Sequence, residues 1–355
     1  MKVPSVLLLA AALSAAALAS GQAAPNSDGE DVPAEERAAL EEVREMIRKQ
    51  VTDDARKDGR AFRDAHRKHH GCVRATFTVK GDLPPELAQG LFREPASYPA
   101  FIRYSNGSGR AQDDQEGDGR GMAVKILGVK GARNLDDPLE EGSSQDFVMV
   151  NHPVFFVRNA EKYVGFQRAL QGNVMWWVFN PVRFFHEGLI GLAILMKKMV
   201  NPLEANYFSM VPSKLGNTQM KFRATPCAGG KFVSTSDTKD RLRENLTRTI
   251  TASSACFLFQ VQTRARPDAM PIEDPTIEWR EKDSPFRTVA EINIPMQQPE
   301  QGEACEAVSF NPWNGLQDHR PLGGISRVRK EVYQTISRLR HEINGQTRAE
   351  PERGL

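Results

Sequence analysis

Between Cys72 and Arg158 the chain passes through four stretches of strand character, "CVRATFTVKGDL", "YPAFIRYSNGSG", "GMAVKILGVKG" and "QDFVMVNHPVFFVR". Gly, Pro, Asn and Asp punctuate them, and no helix-length pattern comes between them. That pattern suits an antiparallel sheet or barrel. Residues 160–200 then read as helical. Strands return over 205–300 in "MKFRATP", "ACFLFQVQTRA" and "FRTVAEINIP", with "TKDRLRENLTRTIT" as a helix between two of them. A charged helix with Leu40, Val43 and Ile47 at helical spacing precedes the strands, and "RVRKEVYQTISRLR" closes the chain as another helix. The order is helix, strands, helices, strands, helix, without βαβ alternation. It predicts one α+β domain built around an antiparallel β-barrel with surrounding helices.

The first residues, "MKVPSVLLLAAALSAAALASGQAAPNSDGE", place a lysine, an apolar run and small residues in succession. That is the pattern of a secretory signal peptide over 1–23, cleaved after Ala23 or Ala24. Its apolar run is short for a spanning helix. Residues 24–59 read as a polar, flexible mature N-terminus followed by the charged helix, 60–345 as the main domain and 346–355 as a tail. Export implies an oxidising compartment. The four cysteines, Cys72, Cys227, Cys256 and Cys305, match no CxxC motif, and one or two disulfides or buried thiols both remain open. Acidic and basic residues are intermixed at a formal net charge of +2, so nothing marks a nucleic-acid partner. "HEGLIGLAILMKKMV" is very apolar but too short to span, with Arg183, His186 and Glu187 at its start. It reads as a buried core helix, and Trp176-Trp177 and Phe184-Phe185 as lining for an apolar cavity or a dimer surface.

Three clusters carry candidate chemistry. "RDAHRKHHGC" holds Arg63, His66, His69, His70 and Cys72. His66 and His70 lie four apart but lack a third metal ligand, and no HExxH is present. "FIRYSNGSGRAQDDQEGDGRGMAVKILGV" pairs Arg103 with a Gly/Asp-rich loop that fits no phosphate loop. "QDFVMVNHPVFFVR" holds Asn151 and the Phe155-Phe156 pair. On the last helix Arg329, Tyr333, Ile336 and Arg340 fall on one face, a phenol between two guanidiniums.

In this order the motifs resemble the haem catalase superfamily, and the chain is similar to its small, exported, peroxidase-like relatives. The resemblance covers residues 60–340. Arg63 and His66 match the family's Arg-x-x-His pair and "RYS" (Arg103 to Ser105) its RFS strand. "GDGRGMAVKI", "VNHPVFFVRN" and "SFNPWN" match its next segments in order, and Arg329-x-x-x-Tyr333 matches its proximal helix.

The resemblance implies haem b, with Tyr333 as the metal ligand and Arg329 beside it favouring the ionised phenol. It makes Arg63, Arg103 and Arg340 the propionate partners and Phe155 a haem neighbour. Among the catalytic candidates His66 is the acid/base, oriented by Ser105, with His69 and His70 as alternatives because this segment is one residue longer than the family's. Asn151 would be the distal amide only through a one-residue bulge, since ungapped matching puts Val150 there. Tyr104 also replaces a Phe. The implied activity is reduction or dismutation of hydrogen peroxide or organic hydroperoxides through a ferryl haem, tilted toward peroxidase by Val150. The alternatives are a hydroperoxide lyase or isomerase resembling allene oxide synthase, and a non-catalytic haem-binding secreted protein. A homo-oligomer is implied, without a stable membrane span, and no motif supports an NADPH site.

Overall fold

The computed structural model describes residues 26–135, 143–172 and 185–346. Helix α1 (Glu36–Asp58) is followed by strands β1 (His69–Val79), β2 (Ser97–Asn106), β3 (Arg120–Leu127) and β4 (Ser144–Val150). Helices α2 (Ala160–Gln171) and α3 (Phe185–Leu195) come next. Strands β5 (Tyr207–Phe208), β6 (Ser213–Leu215) and β7 (Thr218–Pro226) lead into α4 (Arg241–Ala252). The chain ends with β8 (Ala255–Thr263), β9 (Arg287–Ile294), the short α5 (Glu303–Ala307) and α6 (Gly324–Asn344).

The strands run in the order β5-β4-β3-β2-β1-β9-β8-β7, with β6 beside β7, and a pairing of β5 with β7 closes eight of them into an antiparallel barrel. Closure removes the exposed edges that an open sheet would leave. Side chains alternate across each strand, so Val73, Ala75, Phe77 and Val79 of β1 all face the core. The barrel is filled by aromatic rings: Phe147 meets Phe259 at 4.7 Å and Phe222 at 4.9 Å, and Phe77 meets Phe259 at 5.3 Å. Each such ring contributes about 1.5–3 kcal/mol by leaving water.

Outside the barrel, Val43, Ile47, Val51 and Ala55 form one stripe of α1. The stripe packs on Val328 and Val332 of α6 and on Ala160 and Val164 of α2. The α1 and α6 helices thereby become a rigid platform, and α6 carries Arg329, Tyr333 and Arg340.

Three expectations are corrected. The segment before α1 is docked, not flexible. Asp28 pairs with Lys214 and Arg320 at 2.7 Å, and the buried Glu30 pairs with Arg320 and Arg327 at 2.7 Å. The strand expected through Arg158 stops at Val150, where the Asn151 N–H donates to the Arg120 carbonyl and Pro153 follows. The apolar α3 is only partly buried: Phe185, Leu189 and Leu195, with Met196 just beyond it, are more than half exposed. Trp176, Trp177 and Arg183, like the expected signal peptide, lie outside the described residues. Among the described residues no helix is long and apolar enough to cross a membrane. Two disulfides form, Cys72–Cys305 and Cys227–Cys256, which settles a pairing the spacings left open.

Candidate functional site

His66 lies in the link between α1 and β1, where its N–H bonds the Gly107 carbonyl at the end of β2. Its φ is +59°, uncommon for a residue with a side chain. This backbone turn delivers the imidazole to the end of the barrel wall. There Nδ1 lies 2.8 Å from the Asn106 carbonyl oxygen and 3.1 Å from Ser105 Oγ. A carbonyl can only accept, so Nδ1 carries the proton and Nε2 keeps its lone pair. Burial, and then the Arg103 charge, push the His66 pKa down to about 4 against the pull of the Asn106 bond. The ring is therefore neutral at pH 7.

Gly121 faces Ser105 across the β2–β3 ladder. A Cβ there would fall 2.6 Å from His66 Nδ1 and 2.8 Å from Ser105 Oγ, so only glycine lets the strand pass behind the imidazole.

Asn106 is the hub of this wall. Its amide oxygen accepts from His70 Nε2 at 2.9 Å and from Arg120, and its amide nitrogen donates to Asp114 at 3.1 Å. Sequence reasoning passed over it because an Asn beside a Gly reads as a turn residue.

The extra residue of the histidine segment is absorbed by a bulge in β1, where His69 faces Ser105 but Gly71, at φ +139°, faces Tyr104. The bulge keeps His66 beside Ser105 and sends its two neighbours elsewhere. His70 is buried in the wall, and His69 points to Glu306 at 3.6 Å. Neither shares the bonds of His66.

On α6, the Arg329 guanidinium lies 5.5 Å from the Tyr333 ring centroid. Arg329 is buried and its charge also disfavours protonation of His66, so it is electrostatically linked to both. Tyr333 is half-buried, packed on the α1–α2 cluster, and among the described residues no hydrogen bond ties its hydroxyl. Two turns on, Arg340 is buried and donates to the Glu306 carbonyl and, at 3.2 Å, to Ser309 Oγ.

Arg63 and Arg103 converge on the same residue. Arg63 donates to the Glu306 carboxylate and to the Val308 carbonyl at 2.6 Å. Arg103 donates to the Glu306 carboxylate at 3.1 Å and to the His66 carbonyl at 2.9 Å. The three arginines are thus brought together by Glu306, which no sequence pattern marked.

Asn151 is not brought onto His66. Strand β4 stays in register with β3 through Gly121–Val150, with no bulge. Val150 therefore keeps the strand position, and the Asn151 amide oxygen accepts the Arg120 N–H at 2.7 Å. Phe155 stacks on Phe156 at 4.6 Å in a cluster with Val150 and Ile325.

These buried imidazoles make stability pH-dependent. His66, His69, His152 and His319 are pushed down to about 4, and His70 is pushed well down too, by burial in each case. The unfolded chain takes up these protons near pH 6.5 while the native state does not. Stability is therefore lost as pH falls from 6.5 toward 4. Asp64, pushed up to about 6 by burial, and Asp118 and Glu273, also pushed up by burial, work the other way but are fewer than the five histidines. Urea midpoints measured from pH 7.5 to 4.5 should fall steeply below 6.5, by roughly 1 kcal/mol per pH unit or more. A flat profile would show that the histidines are hydrated.

No protein-family model matches the chain, and no curated protein matches it. Solved structures do. A fungal catalase is similar with a TM-score of 0.64 and 19% identity over 82% of this chain. Catalase A from Saccharomyces cerevisiae gives 0.63 and 20% over 82%, and a bacterial catalase 0.61 and 18% over 93%. The matches cover 62%, 65% and 66% of those chains, so this chain spans less than two thirds of their length. The closed eight-stranded barrel, its helical platform and these structural likenesses together give the chain a catalase-like α+β fold.

Proposed function

We propose that this protein is an exported haem-dependent peroxidase related to the catalases, acting on hydrogen peroxide or organic hydroperoxides. The observation that carries the reading is His66: a neutral imidazole, anchored through Nδ1, with an unspent Nε2 at the end of the barrel. The residues fit a haem. Tyr333 has an unspent hydroxyl beside Arg329, and the arginine cluster sets three guanidiniums against one carboxylate, with Arg103 Nε buried and unpartnered.

Tyr333 would hold the iron, Arg63, Arg103 and Arg340 would face the propionates, and Phe155 would pack beside the macrocycle. Haem would supply the redox chemistry of O–O cleavage. His66 Nε2 takes a proton from one peroxide oxygen and returns it to the other. The Asn106 carbonyl and Ser105 keep the ring in the tautomer that can do this. Val150 offers no amide to hold a second peroxide, which favours peroxidase over catalase turnover. The same apolar position supports the hydroperoxide-isomerase alternative. Relative turnover of hydrogen peroxide and a lipid hydroperoxide separates the two, and haem capture with neither activity would identify a non-catalytic haem binder. Two disulfides support the export reading. A homo-oligomer is part of the same proposal.

The deciding experiment is the absorption spectrum of the protein beside Tyr333→Phe, both expressed with haem supplied. A high-spin ferric Soret band that is lost or shifted in the variant is expected. Identical spectra, or no Soret band in either protein, would overturn the haem assignment.

A further inference from the structure

Glu306 stands where an acidic ligand of the arginine cluster would bind. Its carboxylate meets Arg63, Arg103 at 3.1 Å, His69 at 3.6 Å and Arg340 at 3.9 Å. Burial alone would push this carboxyl up, but Arg63 and Arg103 outweigh it and hold it down at about 2. It is the one carboxylate paired with these three guanidiniums among the described residues, and the nearby Glu303 is taken by Arg60 at 2.6 Å. The cluster keeps an excess of positive charge: burial, and then repulsion from Arg63, push the pKa of Arg103 down to about 9 and of Arg340 to about 8. Buried like charges of this kind are costly unless an anion balances them.

One of the ties that hold Glu306 in place is covalent. It sits on α5, a five-residue helix whose only buried side chain is Cys305. Cys305 is bonded to Cys72 of β1, with Cα atoms 5.6 Å apart. So short a helix has no stability of its own; besides the half-cystine it is held by Arg63 and Arg340 donating to the Glu306 carbonyl and by His341 at the Ala307 carbonyl.

We propose that Glu306 is a resident counter-ion in an anion seat formed by Arg63, Arg103 and Arg340, and that the Cys72–Cys305 disulfide sets how readily an incoming acidic group displaces it. The ligand class is a small oxyanion or a paired carboxylate. In the second case the inference deepens the function proposed above and rests on it. With the disulfide closed, Glu306 can leave only by rotating its side chain. When a dithiol reductant takes the bond apart, each sulfur gains an electron and a proton, the reductant becomes a disulfide, and α5 loses its covalent tie to β1, so that its carboxylate is more easily displaced.

The test uses the whole chain without haem and inorganic phosphate as the probe, at constant ionic strength and pH 7. Melting temperature is followed against phosphate concentration, since a ligand that binds only the folded state raises it. Glu306→Gln is expected to bind phosphate about ten-fold tighter than the parent chain. The Cys72→Ser, Cys305→Ser double variant should move in the same direction. Equal phosphate dependence in Glu306→Gln and the parent overturns the counter-ion role, and a response of the double variant equal to the parent's overturns the tether. Glu306→Asp, which keeps the charge but withdraws it by one methylene, should lie between parent and Gln and serves if Gln does not fold. A second arm titrates haem and haem dimethyl ester. The gain from Glu306→Gln should appear for haem and not for its ester. A phosphate response without any haem binding would leave the anion seat standing and overturn the proposed function.

Discussion

Replacing His66 by alanine is expected to cut peroxide turnover by about 10²- to 10⁴-fold, the range spanned by a positioned acid/base, with haem loading unchanged. The argument is geometric before it is electrostatic. Nδ1 is occupied by the Asn106 carbonyl at 2.8 Å and Ser105 Oγ at 3.1 Å, so the proton-accepting lone pair can only be on Nε2. With its pKa pushed down to about 4 by burial, the ring is in its working form throughout the neutral range. Activity should stay flat from pH 8 to about 5 and fall as His66 begins to protonate. Initial rates normalised to Soret absorbance would measure both effects. A rate in His66→Ala within a few-fold of the parent's would remove the acid/base assignment, since His69 and His70 are committed to Glu306 and Asn106 and cannot substitute.

The second large effect is on stability. The Cys72–Cys305 disulfide closes a separation of 233 residues, and such a long loop has much closure entropy to lose in the unfolded chain. The Cys72→Ser, Cys305→Ser variant should lose about 2–5 kcal/mol, a drop of about 3–7 °C in Tm. Cys227–Cys256 separates only 29 residues and joins the end of β7 to β8, strands already paired along their length, so its removal should cost less. Chemical unfolding of the two double variants side by side would check the ranking. The reverse order would mean that residual structure in the unfolded state already brings β1 and residue 305 together.

Much of the fold was legible because its signals are local. The alternation of β1 to β3 and the period of α1 and α6 are written within a dozen residues each. So is the alignment of Arg329, Tyr333 and Arg340 on one helix. The strand that closes the predicted barrel was not legible, because closure rests on Tyr207–Phe208, a strand of two residues with no room for a pattern. The end of β4 was misjudged for a related reason: "VNHPVFFVR" keeps strand composition, but Asn151 and Pro153 interrupt its ladder. The segment before α1 looked flexible because Asp28 and Glu30 find their cations at Lys214, Arg320 and Arg327, far along the chain.

The candidate site divides along the same line. Arg63, His66, Arg103, Ser105 and Tyr333 are picked out by the resemblance of their motifs to those of the catalases. Glu306 does not, because an acidic residue on a short exposed helix ordinarily faces water, and its partners lie 243, 203 and 34 residues away. By itself the sequence determined the class of fold, the helix face that carries the phenol between its guanidiniums, and the residue types available for chemistry. Those follow from backbone periodicity, which acts between near neighbours. Only the tertiary structure decided how the barrel closes, which tautomer His66 holds, that Val150 and not Asn151 keeps the strand position, and which carboxylate the arginines share. Each of these is a contact between groups distant in the chain, selected by burial and charge balance once the barrel has formed.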